Sequence, residues 1–276
     1  MTIWEALILG VVQGLAEFLP VSSSGHIIIV KEMFGIETRD LSFEVAVHAA
    51  TVLSTLIVFR KDIAGLLRDL LRFRNNSGTQ YIFRILVSMI PVMFVGLFLK
   101  DYVEQLFGEG LLVVGVALLC TALLLFFSGN NPVAGEASDR KMLKNSGTGD
   151  ITFRSAFIIG VTQAVAVIPG LSRSGATIST GLLLGISREK IARFSFLMVL
   201  IPVLGEAFLQ LISGEMGGES SSAGVVAISA GFLTAFITGL FACKAMISLV
   251  KKTKLTGFAI YCTVAGLFCI ISQLLF

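Results

Sequence analysis

Glu17, Ser22, Ser23, Ser24 and His26 fall within the stretch AEFLPVSSSGH. A second cluster, Ser172, Arg173, Ser174, Gly175 and Thr177, stands in PGLSRSGAT. The first holds the groups that acid–base and nucleophilic chemistry uses: a carboxylate, a hydroxyl and an imidazole. The second suits an anion. Serine hydroxyls, free backbone N–H groups and the positive end of a helix converge there, and Arg173 adds a planar fork matched to phosphate. Gly25 and Gly175 allow the backbone to approach a ligand closely. An alternative is a structural ion pair between Arg173 and Glu17, for which the Ser-Gly turns would be superfluous.

The elements that carry these clusters are related. At an offset of 150, Ala6, Ile8, Gly10, Val11, Gln13, Ala16, Ser22, Ser24, Gly25 and Ile28 each meet an identical residue. Glu17 meets Val167, Ser23 meets Arg173 and His26 meets Ala176. Segments 4–35 and 153–186 are apolar but are cut near the middle by Pro, Gly and Ser. Each half is too short to cross a hydrocarbon core about 30 Å thick, which needs about 20 helical residues. Broken backbone at membrane depth survives only where protein or a water-filled cavity surrounds it. Each segment therefore reads as a re-entrant pair of half-helices. Full spans are expected near 41–60, 81–99, 111–128, 190–212, 223–250 and 255–275.

Composition agrees with a lipid environment. The 276 residues are 55% hydrophobic and only 14% charged, against about 25% charged in soluble proteins. The net charge of +3, with no basic run interleaved with aromatics, argues against nucleic acid as a partner. Threading six spans and two re-entrant pairs puts 17 of the 21 Lys and Arg on one side, which is then cytoplasmic. KDYVEQLFGEG and SGEMGGESSS lie opposite, and both termini are outside. Each repeat is followed by three spans, an odd number, so the second copy is inverted. Its tip should meet the first near the midplane, where discontinuous helices of inverted repeats build their sites. The fold class is all-α integral membrane: six transmembrane helices plus two re-entrant helix pairs. One polytopic domain, 1–276, comprises halves 1–128 and 153–276 joined by the polar linker 129–152. MTIWEALILG carries no Lys or Arg before its apolar stretch and does not read as a signal peptide. Cys120, Cys243, Cys262 and Cys269 read as small buried hydrophobes.

PGLSRSGAT is the complete P-G-x-S-R-S-x-x-T signature of the undecaprenyl-diphosphate phosphatases of the bacitracin-resistance type, and QGLAE with LPVSSSGH resembles that family's first motif. The resemblance runs through FEVAVH and FRKDI. Gln13 takes the amide option where two carboxylates would otherwise stand. The resemblance implies hydrolysis of undecaprenyl diphosphate to the monophosphate and inorganic phosphate, which recycles the lipid carrier for cell-wall synthesis. It also implies resistance to bacitracin, which competes by binding the substrate. A long-chain prenyl diphosphate suits the residues: its tail stays in the bilayer while its head sits among the tips. Ser172, Arg173, Ser174 and Thr177 would hold the diphosphate and stabilise transition-state charge. Ser23 would attack or position the attacking water; Ser22 and Ser24 read as caps. His26, one turn on, would move a proton, or else simply bond a backbone carbonyl. Glu17 would act as base or, with Gln13 one turn earlier, bind a divalent cation, Mg²⁺ or Ca²⁺. A homodimer is left open.

The rival class is a lipid-phosphate flippase or transporter, with or without hydrolysis. A carrier needs a cradle and a charge, but no nucleophile or proton shuttle. Other features are weaker. Glu44 and His48 either line the cavity or are interfacial polar groups. Glu206 has no placement. Gly231, Ala235 and Gly239 recur every four residues, as in close helix packing. DIAGLLRDLLRFR, 62–74, is amphipathic and basic and should lie on the cytoplasmic surface.

Overall fold

A computed structural model describes residues 1–36, 41–72, 74, 76–99, 102–103, 105, 110–129, 150–213, 224–252 and 255–275, the side chains of 41–42, 206–213 and 251–252 excepted. Linker residues 130–149, most of the two acidic loops, Lys254 and the Glu206 side chain lie outside the described residues. Every regular element among the described residues is a helix: α1 (Ile3–Ala16), α2 (Ser23–Phe34), α3 (Leu41–Val58), α4 (Arg60–Leu71), α5 (Ser77–Phe98), α6 (Leu111–Gly129), α7 (Phe153–Val165), α8 (Arg173–Leu183), α9 (Arg188–Ser213), α10 (Val225–Lys252) and α11 (Thr256–Leu275).

Four of them are long and apolar enough to cross a bilayer on their own: α5, α6, α10 and α11, with mean hydropathy of 2.0 to 2.7. The expected spans at 41–60 and 190–212 fall on α3 and α9, helices of 18 and 26 residues. α3 passes the same test only together with α4, from which it is bent by 74°. Many large apolar side chains face outward, among them Phe83, Phe94, Phe98, Phe127, Phe241 and Val264. A surface this apolar needs lipid around it. The chain is therefore a multi-pass membrane protein. α4 buries no residue and is joined to the start of α9 by an Asp62–Arg193 ion pair, 3.1 Å.

The short helices are short for local reasons. Thr2 caps α1 in a reciprocal box with Glu5, and Thr152 caps α7 in the same way with Ser155. Both helices stop where the chain turns, before Pro20 in one case and before Pro169 and Gly170 in the other. At 14 and 13 residues they are about 20 Å long, too short to cross.

Each of these first half-helices packs on a long helix from the other half of the chain, α1 on α10 and α7 on α5. The contact is backbone to backbone. A Cβ on Gly10 would lie 2.5 Å from the Gly231 carbonyl oxygen, one on Gly14 2.5 Å from that of Ala235, and one on Gly160 2.3 Å from that of Ser88. The Gly231, Ala235 and Gly239 row is thus a packing seam. α6 lies against α11 and α3 against α9. The main buried cluster draws on both halves, Phe18, Phe59, Leu118 and Leu125 with Ile159, Ile178, Phe194 and Met246.

Candidate active site at two meeting helix tips

The turn between α1 and α2 brings Glu17 and Ser23 together. Glu17 follows the last residue of α1 and Ser23 is the first of α2. Between them, Ser22 takes φ +71°, the sole positive φ of a non-glycine among the described residues. A serine there stores about 1–3 kcal/mol of strain. It is held by its own bonds: Ser22 Oγ accepts from the Gly25 N–H at 3.2 Å, and its carbonyl accepts from the His26 N–H at 3.2 Å. Ser24 Oγ lies 3.4 Å from Ser22 Oγ. At the second tip Ser172 caps α8, its Oγ accepting from the Gly175 N–H at 3.1 Å, while its own N–H donates to Thr121 Oγ1.

The tips touch reciprocally. A Cβ on Gly25 would stand 3.0 Å from Gly170 Cα, and one on Gly175 would stand 3.3 Å from Pro20 Cβ. Ser174 Oγ donates across to the Leu19 carbonyl at 3.1 Å. This closeness puts Arg173 beside Glu17, 3.6 Å from Oε1. The other oxygen, Oε2, accepts from Ser23 Oγ at 2.6 Å and from Gln13 Nε2 at 3.0 Å. His48 Nε2 lies 3.9 Å from the same oxygen. The Glu17 side chain is 11% exposed and that of Arg173 28%, so the carboxylate is sheltered while the guanidinium still reaches open space.

A pocket continues from this point between α3 and α9. Glu17, Arg173 and Ser174 form its polar end, Thr51, Thr55 and Ser195 line its side, and Phe18, Val52, Phe196, Val199 and Leu200 make the apolar remainder. Thr177 lies behind, its Oγ1 2.6 Å from Ser195 Oγ and 2.8 Å from the Arg173 carbonyl oxygen.

Family comparison joins this geometry to known proteins. The family described as Bacitracin resistance protein BacA matches residues 6–268. The chain belongs to that family. It is 53% identical to a protein of Parabacteroides distasonis named undecaprenyl-diphosphatase, over all of both chains. Bacteroides thetaiotaomicron and Bacteroides fragilis have proteins of the same name, each 50% identical over 98% of both chains.

Within this BacA-family chain, Gln13, Glu17, Ser23 and Arg173 converge, and Ser172, Ser174, Gly175 and Thr177 surround them. His26 is arranged differently. Its Nδ1 faces the Ser22 carbonyl at 2.7 Å, and its Nε2 faces Tyr261 Oη at 2.6 Å, with the rings stacked at 5.5 Å. Both nitrogens are thus engaged away from Ser23 and Glu17. Nδ1–H must donate to the carbonyl, so in the neutral ring Nε2 accepts from the tyrosine. Glu44 pairs with Lys31 on α2 rather than lining the cavity. Sequence reasoning missed Tyr261, Ser195 and Thr121. Each is a polar side chain in an apolar run, with no motif around it.

For a divalent cation the donor set is sparse. No cluster of three or more His, Cys, Asp or Glu occurs among the described residues. Gln13 Oε1, however, is a buried acceptor with no partner, one turn from Glu17. Magnesium is usually held by one or two carboxylates with substrate phosphates and water supplying the rest, a pattern that Glu17 fits; Gln13 Oε1 joins it once the amide, whose Nε2 faces Glu17, turns over.

Proposed function

We propose that the chain hydrolyses undecaprenyl diphosphate to undecaprenyl phosphate and inorganic phosphate, as an integral membrane phosphatase that recycles the lipid carrier. One observation carries this reading at the level of atoms: Ser23 donates to Glu17 Oε2 at 2.6 Å while Arg173 stands 3.6 Å from Oε1 of the same carboxylate. A hydroxyl, its base and a phosphate-matched cation therefore share one point. The relatives named for hydrolysis favour this reading over a carrier.

In this mechanism Arg173 and the first-turn N–H groups of α2 and α8 bind the terminal phosphoryl group and take up its charge in the transition state. Glu17 Oε2 takes the proton of Ser23 Oγ, or of a water that Ser23 holds, as the new P–O bond forms. The bond to the bridging oxygen breaks and undecaprenyl phosphate leaves. Attack by water frees inorganic phosphate at once, whereas attack by Ser23 leaves a phosphoserine that a second water, deprotonated by Glu17, hydrolyses to inorganic phosphate and the free hydroxyl. For His26 to protonate the departing phosphate, Nε2 must leave Tyr261 and carry the proton of an imidazolium, while Nδ1–H stays on the Ser22 carbonyl. Glu17, joined by Gln13 Oε1 once that amide turns over, would hold Mg²⁺ or Ca²⁺, which would supply further neutralisation of diphosphate charge. Bacitracin would act on this reaction by sequestering the lipid substrate.

The wider arrangement we propose is one domain of six spans and two re-entrant pairs, α1–α2 and α7–α8, related as an inverted repeat. Its support is the identities at offset 150, the short half-helices and their reciprocal packing. The basic loops then face the cytoplasm, both termini lie outside, and the site opens outward. The deciding experiment is phosphate release from a long-chain prenyl diphosphate by the purified chain in detergent, with Mg²⁺ and after chelation. Release that needs the cation is expected; a folded, monodisperse sample that releases none would remove the reading.

A further inference from the structure

Resting on the phosphatase reading, we propose that His48 is a positioning residue for Glu17, keeping the acceptor oxygen of that carboxylate on Ser23. Two features fix the imidazole. Its Nδ1 donates to the Glu44 carbonyl one turn back at 2.8 Å, which sets the ring plane and aims Nε2 at Glu17. α3 itself is fastened to α10, where Ser54 Oγ donates to the Phe236 carbonyl at 2.8 Å, and it lies against α9 as well. The histidine is therefore presented from a fixed strut outside both helix tips. The Glu44 carboxylate does not compete for it, being paired with Lys31.

Geometry indicates what the imidazole does. Arg173 approaches Oε1 at 3.6 Å and His48 approaches Oε2 at 3.9 Å, so the carboxylate is flanked on both oxygens by groups from two different elements. Ser23 and Gln13 both donate to Oε2. A half-turn of the carboxylate would change which oxygen meets Ser23, and the two flanking groups oppose that turn. At 3.9 Å the His48 contact is longer than a direct hydrogen bond, and with Nδ1–H on the Glu44 carbonyl Nε2 is an acceptor, so it holds Oε2 through one bridging water that donates to both. A purely structural histidine on α3 would be satisfied by the Glu44 carbonyl alone and would not affect turnover.

The test uses the purified full-length chain with a long-chain prenyl diphosphate at saturating Mg²⁺. His48→Leu should lower kcat about tenfold, as loss of reacting-group alignment does, with KM within about threefold because Arg173 and the helix ends still bind the head group. His48→Gln, whose amide can donate to Glu17, should recover most of the rate. In a Glu17→Gln background His48→Leu should add no further loss, since the two act as one unit. Should His48→Leu not purify monodisperse, His48→Asn takes its place, and the same loss is expected because its amide falls short of Glu17. Wild-type kcat in the leucine or asparagine variant, or a loss that simply multiplies with that of Glu17→Gln, would overturn the proposal while leaving the phosphatase intact. A wild-type chain that releases no phosphate would remove the phosphatase reading, and this role with it.

Discussion

Arg173 and Ser23 occupy equivalent places in the two repeats, yet the structure puts them on the same carboxylate. Arg173→Ala should cut kcat by about 10²–10³, the usual loss for a donor aimed at developing oxyanion charge. Arg173→Lys should recover only part of it, because an ammonium lacks the planar fork. Ser23→Ala should abolish phosphate release with the midpoint of thermal unfolding unchanged within a few degrees, since its hydroxyl meets Glu17 and caps nothing. Phosphate release together with melting in detergent checks all three. Tyr261→Phe keeps the stacked ring and removes only the hydroxyl bonded to His26. It should lower kcat about fivefold, the worth of one hydrogen bond near 1 kcal/mol. An unchanged kcat would show that His26 needs no tyrosine to serve the reaction. The convergence of Glu17, Ser23 and Arg173 was legible in the sequence because motif and repeat both marked it. The arrangement of His26 was not, since its partner Tyr261 lies 235 residues away.

At the scale of elements, the breaks in 4–35 and 153–186 were legible because proline and glycine interrupt an apolar run that serine then caps. That α3 gives way to a separate amphipathic helix near residue 60 was legible as well, but the 74° angle was not, since Phe59, where the chain turns, is an ordinary apolar residue in an apolar context. The seam between α1 and α10 was half legible. The glycine row in α10 announced a close neighbour, but nothing in the row named α1. Gly14→Val tests that seam. Its Cβ would stand 2.0 Å from Thr238 Oγ1 and 2.5 Å from the Ala235 carbonyl oxygen, and a helix carbonyl cannot swing aside. Overpacking of this kind costs about 1–3 kcal/mol or more. The variant should melt earlier and lose activity in proportion, whereas Gly65→Val, where a Cβ meets nothing within 4 Å, should do neither.

For the whole molecule, orientation is the property most open to test. In a cysteine-free background, Arg68→Cys on α4 and Leu275→Cys at the end of α11 are both exposed. A membrane-impermeant maleimide added to intact cells should label the cysteine at position 275 and leave that at position 68 unlabelled until the cells are opened. The reverse pattern would invert the topology and turn the site inward. The expected orientation rests on charge distribution, since Lys and Arg gather on one set of loops. How the two halves hold one another was not legible in the sequence, because the contacts of α1 with α10 and of α7 with α5 join segments far apart in the chain.

That interleaving bears on how the protein is made. α1 is among the first segments to leave the ribosome, and the helix whose glycines receive it begins at Val225. Synthesis runs at about 5–20 residues per second, so α1 waits roughly 10–40 s for its partner. During that interval it is too short to span the bilayer and its Gly10 and Gly14 face is uncovered. Either the insertion machinery or a neighbouring segment must shelter it. The Glu17 carboxylate just past its end acquires its final surroundings only when most of the chain has been translated, so a nascent chain released early would carry the motif without the assembled site.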